Sequence, residues 1–129
     1  MAAVLQASDN AAQNSALTRY SHCANSRMGR DATEARLQIT YRSAGTLSNL
    51  WVRIDANTLN GSTTYRTRVN GANGAQSVSV GSSTTGTFED TTNTDTIAAA
   101  DEVNYQIVTG GTTGTITDVI TNTLFAATT

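Results

Sequence analysis

From residue 36 to the C-terminus the chain is a succession of short segments in which apolar and polar residues alternate. The segments are Leu37–Arg42, Leu47–Asp55, Thr63–Val69, Ala75–Val80, Thr85–Phe88, Thr96–Ala98, Glu102–Thr109 and Thr115–Phe125. Such a series of about eight short strands is typical of an antiparallel β-sandwich or barrel. Asn-Gly dipeptides that begin at Asn60, Asn70 and Asn73 favour tight turns, because both residue types tolerate positive φ. The sequence therefore predicts an all-β fold.

The alternation within single strands predicts which side chains form the core. Leu50, Val52 and Ile54 share one face of their strand, which leaves Trp51 and Arg53 on the other. One dry and one wet face is typical of an antiparallel sheet, and the 24 threonines suit the wet face because they are β-branched yet polar. Two explanations stay open for Trp51. In the first, the predicted inner and outer faces of this strand are reversed, or other elements cover both faces. In the second, Trp51 and Arg53 form a contact between subunits.

Residues 1–35 differ in composition from the rest of the chain. They are rich in Ala, Asn and Ser, and their few large apolar residues follow no sustained period. We predict an extended N-terminal arm over residues 1–35 and a β-sandwich domain over residues 36–129. The arm is either a disordered tail or a segment that orders on a partner, in which Arg19, Arg27 and Arg30 pair with carboxylates.

The composition argues against most kinds of catalytic and metal sites. One cysteine allows no disulfide, and Cys23 with His22 supplies only two of the four ligands of a structural zinc site. Because the chain has no lysine, it lacks the GxxxxGK phosphate loop. His22 and Cys23 are poorly placed as base and nucleophile, since neighbouring side chains of an extended segment point to opposite sides. We predict a protein that is not an enzyme and holds no metal or cofactor.

Two groups of charged residues leave alternatives open. Half of the ten acidic residues lie between Glu89 and Glu102. Three interpretations stay open: these are solvated loop charges, they form a calcium-stabilised loop, or two of them are the carboxylates of a glycosidase. Arg66 and Arg68 are predicted to project from one face of their strand. Either they bind a partner that carries carboxylates, or they pair with acidic residues of a neighbouring strand.

Charge and hydropathy also predict what the protein does not bind. The net charge of −2 argues against nucleic acid, because phosphate neutralisation needs clustered positive charge. The N-terminus has no basic segment before an apolar run, and no stretch approaches the roughly 20 apolar residues of a membrane span. We therefore expect synthesis in a cytoplasm, with no nucleic acid, membrane or small-molecule substrate as partner.

The body of the chain resembles a known group of domains. The runs that carry the resemblance are Leu50–Gly61, Thr64–Gly71, Gln76–Val80, Thr85–Asp90, Asp95–Tyr105 and Gly110–Thr112. Together they span residues 45–125 and resemble the jelly-roll-like β-sandwich domains of tailed-phage structural proteins. Such domains occur in capsid decoration (cement) proteins and in receptor-binding parts of tails. Ala100 departs from the pattern, because a glycine is expected before Asp101.

The resemblance implies a structural virion protein. It implies a capsid decoration protein on the outer capsid surface, a homotrimer that stabilises the phage head by bridging neighbouring major capsid subunits. The candidate partner-binding residues are Arg19, Arg27, Arg30, Trp51 and Arg53. Deletion of residues 1–35 is expected to leave the sandwich folded but to remove capsid binding. The alternative is a tail-fibre or spike module that binds a receptor or carbohydrate.

Overall fold

The structure, a computed structural model, describes residues 2–8, 12–24 and 29–128. The strands are β1 (Ala2–Ala7), β2 (Gln13–Asn14), β3 (Thr18–Ser21), β4 (Ile39–Thr40), β5 (Gly45–Asn57), β6 (Thr63–Val69), β7 (Ala72–Val80), β8 (Gly86–Ile97), β9 (Glu102–Thr109) and β10 (Thr115–Ala127). One turn of 3-10 helix, Glu34–Arg36, lies between β3 and β4. Within the described ranges, no helix has the length and hydropathy needed to span a membrane.

The strands form two antiparallel sheets that pack face to face, as the sequence predicts. Sheet A has the order β1-β10-β5-β8, with β2 also paired to β10. Sheet B has the order β3-β9-β6-β7, with β4 also paired to β9. Without the two-residue strands β2 and β4, each sheet combines two of the first four strands of the chain with two of the last four. This is the arrangement of a double-sheet jelly roll, in which the first and last strands are neighbours.

The core lies between the sheets and is built from the apolar face of each strand. In β5 the side chains of Leu50, Val52 and Ile54 are buried, whereas Trp51 is half-buried and Arg53 is exposed on the outer face. The predicted faces of this strand are confirmed. The other large core side chains are Leu37, Leu47, Leu59, Tyr65, Val80, Ile97, Tyr105, Ile107 and Ile116. Each such side chain contributes roughly 1.5–3 kcal/mol through its burial.

Three register shifts against β5 interrupt the regular alternation of β10. A simple alternation puts Ile120 and Leu124 on the same face as Ile116, which is in the core. The shift between Asp118 and Ile120 adds a residue to β10 and turns the following side chains to the other face, so Ile120 and Leu124 are half-buried on the outer side of sheet A. The buried positions of β10 are instead partly polar and include Asp118 and Thr121.

The described part of the N-terminal segment lies within the sandwich, not outside it. All six residues of β1 pair with β10, from Ala2 opposite Ala126 to Ala7 opposite Thr121. In the other sheet β3 pairs with β9. The segment therefore supplies the first strand of each sheet, which corrects the prediction of an extended arm ending at residue 35. Its small and polar residues join the sheets through backbone hydrogen bonds, which composition does not reveal.

Asp31 and Glu34, which follow β3 in the chain, contact strands of sheet B. The backbones of Tyr20 and Asp31 exchange two hydrogen bonds of 2.9 and 3.1 Å. Arg68 then donates to both carboxylate oxygens of Glu34, at 2.8 Å from Nε and 3.0 Å from Nη2. These bonds hold the pKa of Glu34 below its ordinary value, although desolvation opposes them. Two alternatives were open for Arg68, a bond to a partner protein or a bond to an acidic residue of a neighbouring strand. Arg68 pairs within its own chain, but its acidic partner, Glu34, lies outside the neighbouring strands.

The strand bounds agree with the sequence in the middle of the chain and differ elsewhere. The observed β6 and β9 have the predicted bounds, whereas β8 joins two predicted strands into one. The turn between β6 and β7 is confirmed at Asn70 and Gly71, whose φ values of 52° and 76° fit a type I′ hairpin. The dipeptide beginning at Asn73 lies within β7 and forms no separate hairpin.

Candidate binding surface

The outer side of sheet A carries apolar side chains that the core does not use. Val4 of β1 lies opposite Leu124 of β10, and Ile120 of β10 lies opposite Arg53 of β5. Trp51 is two residues from Arg53 on the same side of β5. Val4 is 60% exposed, and Leu124, Ile120 and Trp51 are half-buried. These five residues are referred to below as the sheet A face.

The chemistry of the sheet A face suits contact with another protein. Trp51 presents a large, rigid ring, and the guanidinium of Arg53 can bind a carboxylate through two parallel hydrogen bonds. The residues opposite Arg53 on the neighbouring strands are Ile120 and Thr87, neither of which is acidic. Tryptophan and arginine are the residue types that most often carry the binding energy of protein interfaces. The face can therefore bind an apolar surface that has an acidic neighbour.

Sequence reasoning identified Trp51 and Arg53 but missed the three aliphatic members of the face. Val4 had a usable signal, because it alternates with the buried side of β1 at Ala7 and the half-buried Leu5. Ile120 and Leu124 had no such signal in the sequence, because the register shift that turns them outward leaves no pattern there.

Arg30, predicted to bind a partner, is buried inside the protein. Its guanidinium pairs with the carboxylate of Asp118, and the two side chains are only 4% and 6% exposed. Arg30 Nη1 also donates to Gln13 Oε1 at 3.0 Å, and the hydroxyl of Tyr65 donates to Asp118 Oδ1 at 3.2 Å. Because its own chain encloses the guanidinium, Arg30 is a structural residue in this fold and not a partner-binding one.

The other two candidate arginines of the N-terminal segment lie apart from the sheet A face or beyond description. Arg19 is half-buried in β3 and lines a cavity of about 210 Å³, together with Gln13 and Arg30. Arg27 lies outside the described residues, so its role stays a prediction. Of the four predicted site residues that the structure describes, Trp51 and Arg53 lie together on sheet A, whereas Arg19 and Arg30 line a separate cavity.

Asp90, from the acidic group between residues 89 and 102, is a buried hydrogen-bond acceptor. Its carboxylate accepts the backbone N–H groups of Ser77 at 3.0 Å, Thr92 at 3.1 Å and Asn93 at 3.0 Å. The side-chain amide of Asn93 adds a bond of 2.9 Å. Desolvation alone raises the pKa of Asp90, but these hydrogen bonds outweigh it and lower the pKa to about 2. Through Ser77, Asp90 links β8 of sheet A to β7 of sheet B.

Asp95 makes a second link between the same two strands. Its carboxylate accepts hydrogen bonds from Thr67 Oγ1 at 2.5 Å, Gln76 Nε2 at 2.9 Å and the backbone of Ala75 at 2.5 Å. This approach requires Gly74, because a Cβ there would lie 2.6 Å from Asp95 Oδ1. The two carboxylates thus satisfy backbone donors of the edge strand β7, which otherwise invites pairing with another chain. Among residues 2–8, 12–24 and 29–128, no three potential ligands group to hold a metal ion.

We predict that the stability of the fold falls steeply between pH 4 and pH 2. The ordinary pKa of an aspartate is about 3.9, and that of Asp90 is lowered to about 2. The stability that Asp90 contributes is therefore complete above pH 4 and is lost as the pH falls through 2. The measurement is the urea midpoint from pH 2 to 5. Asp90→Asn should lower the midpoint at pH 5 and flatten its pH dependence, and an equally steep dependence in D90N would contradict this assignment.

Cys23 is a core residue and a poor nucleophile. Its sulfur lies 3.5 Å from the hydroxyl of Tyr41 and 3.7 Å from the carbonyl of Val103. Burial raises the pKa of the Cys23 thiol, although the hydrogen bonds oppose this effect. Since the thiolate is the reactive form, this environment makes the side chain unreactive.

The geometry defines an antiparallel β-sandwich of jelly-roll type with one apolar outer face. Comparison of the chain with protein-family models, with curated proteins and with solved structures found no match in any of the three. The resemblance to phage decoration proteins therefore rests on the residues quoted above, and the partner of the sheet A face is a matter for proposal.

Proposed function

We propose that this chain is a structural virion protein, a capsid decoration protein that stabilises a phage head by bridging neighbouring major capsid subunits as a homotrimer. The observation that carries the proposal is the sheet A face, where Val4 is 60% exposed and Trp51 and Arg53 lie side by side. The resemblance of the strand and turn segments to decoration proteins supports the choice of a capsid as partner.

The proposed interaction uses a preformed surface. The sheet A face spans β1, β10 and β5, which are hydrogen-bonded neighbours, so its side chains need little ordering when a partner binds. Docking would remove Trp51 and Val4 from water, which favours binding by roughly 25 cal/mol per Å² of apolar area. Arg53 would pair with a shell carboxylate and fix the orientation. A protein bound in many copies needs only modest affinity at each position.

The sandwich itself, and not a free arm, makes the bridging contact in this proposal. β1 and β3 are held in the two sheets, and Arg30 is enclosed by its pair with Asp118. In this proposal Arg19 makes a secondary contact with the capsid. It lies beside the cavity of about 210 Å³, on a different sheet from Trp51. The absence of enzymatic activity remains an expectation from the sequence.

We predict that Arg53→Glu lowers the amount of protein on purified particles at least ten-fold. The substitution replaces attraction to a shell carboxylate by repulsion, and ten-fold corresponds to about 1.4 kcal/mol. The measurement is copy number relative to the major shell protein by quantitative mass spectrometry. The matched control is Arg36→Glu, which makes the same charge change on a side chain that is 58% exposed and lies outside sheet A.

The copy number of the unaltered protein separates the two candidate functions. A number comparable with that of the shell protein supports a decoration lattice. A handful of copies per particle would contradict the proposal and favour the tail-fibre or spike module, with the exposed edge of Trp51 as a platform for a receptor sugar. Equal occupancy by R53E and R36E would show that the sheet A face is not the docking surface.

A further inference from the structure

An apolar cavity of about 250 Å³ opens at the edge of the sandwich, between β1 of sheet A and β4 of sheet B. Leu5 of β1, Ile39 of β4, Tyr41 and Phe125 of β10 form its apolar part, and Arg42 and Ser43 also line it. We name it the edge cavity. Leu5 and Phe125 directly follow Val4 and Leu124 in the chain, so the edge cavity and the sheet A face use the same strands, β1 and β10, but lie on opposite sides of sheet A.

The walls of the edge cavity are extensions of the core that remain incompletely covered. Leu5, Ile39 and Phe125 pack against the core cluster but are only partly buried. The rings of Tyr41 and Phe125 meet edge to face, with centroids 5.0 Å apart and planes at 81°. Apolar walls of this kind lack contact partners on one side, which favours an apolar occupant.

The cavity is fixed in shape by backbone hydrogen bonds. The N–H of Tyr41 donates to the carbonyl of Asp101, and the N–H of Ala100 donates to the carbonyl of Tyr41, both at 2.8 Å. The N–H of Thr128 donates to the carbonyl of Ala44, also at 2.8 Å. The loop that carries Arg42 is therefore held at both ends, and the cavity is preformed.

The charge at the cavity indicates which occupant it fits. Arg42 is exposed and is the only charged side chain among the described residues that line the cavity. No acidic residue is among them, so an occupant that carries a negative charge next to its apolar part gains an ion pair. A positively charged occupant would be repelled.

From these observations we infer that the edge cavity receives one large apolar side chain of the capsid protein, and that a carboxylate next to that side chain pairs with Arg42. The inference rests on the proposed function and specifies its partner chemistry. It assigns the capsid protein a second contact, at the edge of the sandwich and separate from the sheet A face. A short shell-protein segment with an acidic residue beside a leucine or phenylalanine is the expected ligand.

The first test uses the dye 1-anilinonaphthalene-8-sulfonate, which combines apolar rings with one anionic group. Saturable fluorescence enhancement is expected with the unaltered protein. Ser43→Trp, which fills the cavity from its rim, should lower the affinity at least ten-fold, and Arg42→Glu should lower it several-fold. The control Ser82→Trp adds the same ring to an exposed loop before β8 and should bind as the unaltered protein does. No saturable binding, or equal binding by S43W, would overturn the cavity assignment.

The second test measures binding of the same full-length variants to particles stripped of this protein. The inference predicts at least ten-fold weaker binding by S43W and R42E, and unchanged binding by S82W. If the unaltered protein binds and S43W binds equally well, the cavity inference fails while the proposed function stands. If the unaltered protein does not bind although the dye does, the decoration function fails and the capsid protein is not the occupant.

Discussion

A chain that begins at residue 36 is expected not to fold into a stable sandwich. The deletion removes β1 and β3, the first strand of each sheet, so one edge of β10 and residues 105–108 of β9 lose their partner. It also removes Arg30, so the buried carboxylate of Asp118 loses its counter-charge. The loss of Arg30 alone is expected to cost about 3–5 kcal/mol, a large part of the roughly 5–15 kcal/mol that stabilises a small domain. This outcome is the opposite of the one expected for a dispensable arm.

The measurement is equilibrium unfolding of the 36–129 fragment, followed by circular dichroism. We expect no cooperative transition. Adding a synthetic peptide of residues 1–35 is expected to restore the transition, because the peptide supplies both strands and the arginine. A fragment that unfolds cooperatively on its own, with the midpoint of the full chain, would show that β1 and β3 are accessory to the fold.

The substitution Arg30→Met is expected to destabilise the fold by about 3–5 kcal/mol. Removing one partner of a buried ion pair leaves the other charge without compensation in a medium that solvates it poorly. The remaining groups around Asp118 are the hydroxyls of Tyr65, at 3.2 Å, and Thr121, at 3.2 Å, which are weaker partners than a guanidinium. The free energy of unfolding is measured in urea through the fluorescence of Trp51, the single tryptophan.

Three further variants test whether the loss comes from the uncompensated charge. The double variant Arg30→Met with Asp118→Leu removes both charges and is expected to recover much of the stability. Tyr65→Phe deletes a neutral donor to the Asp118 carboxylate and should cost about 1.5–3 kcal/mol. Arg36→Ala breaks an exposed pair with Asp31 and should leave the midpoint unchanged. A loss for R30M no larger than that for Y65F would refute the assignment.

The fold was predictable wherever side-chain alternation is long and regular. In β5 the sequence Leu50–Ile54 alternates without interruption, and the structure follows it side chain by side chain. The Asn70-Gly71 turn was predictable because its two residues are the pair that a type I′ hairpin requires. Trp51 and Arg53 could be proposed as surface residues for the same reason, since the face opposite an apolar row is the outer one.

The remaining features depend on interactions that the local pattern does not contain. β1 has two alanines and one leucine on its inner side, so it joins the sheet by backbone pairing with little apolar signal. The pairing of Arg30 with Asp118 joins residues far apart in the chain, and both side chains look like surface charges in isolation. The bulge between Asp118 and Ile120 reverses the two faces of β10, and no particular residue type in the sequence indicates it. The outward position of Ile120 and Leu124 was therefore not predictable.

The adjacency of β1 and β10 also bears on how the protein is made. Among the strands of this sandwich, β1 is synthesised before the others and β10 after them. All six residues of β1 pair with β10. While the chain grows on the ribosome, β1 has no native neighbour in its sheet, and sheet A cannot close until β10 has emerged. Non-local pairing of this kind slows folding, because the loop entropy is lost before the contacts form. The nascent chain therefore carries β1 without its native partner until β10 has been synthesised, and the jelly roll assembles late.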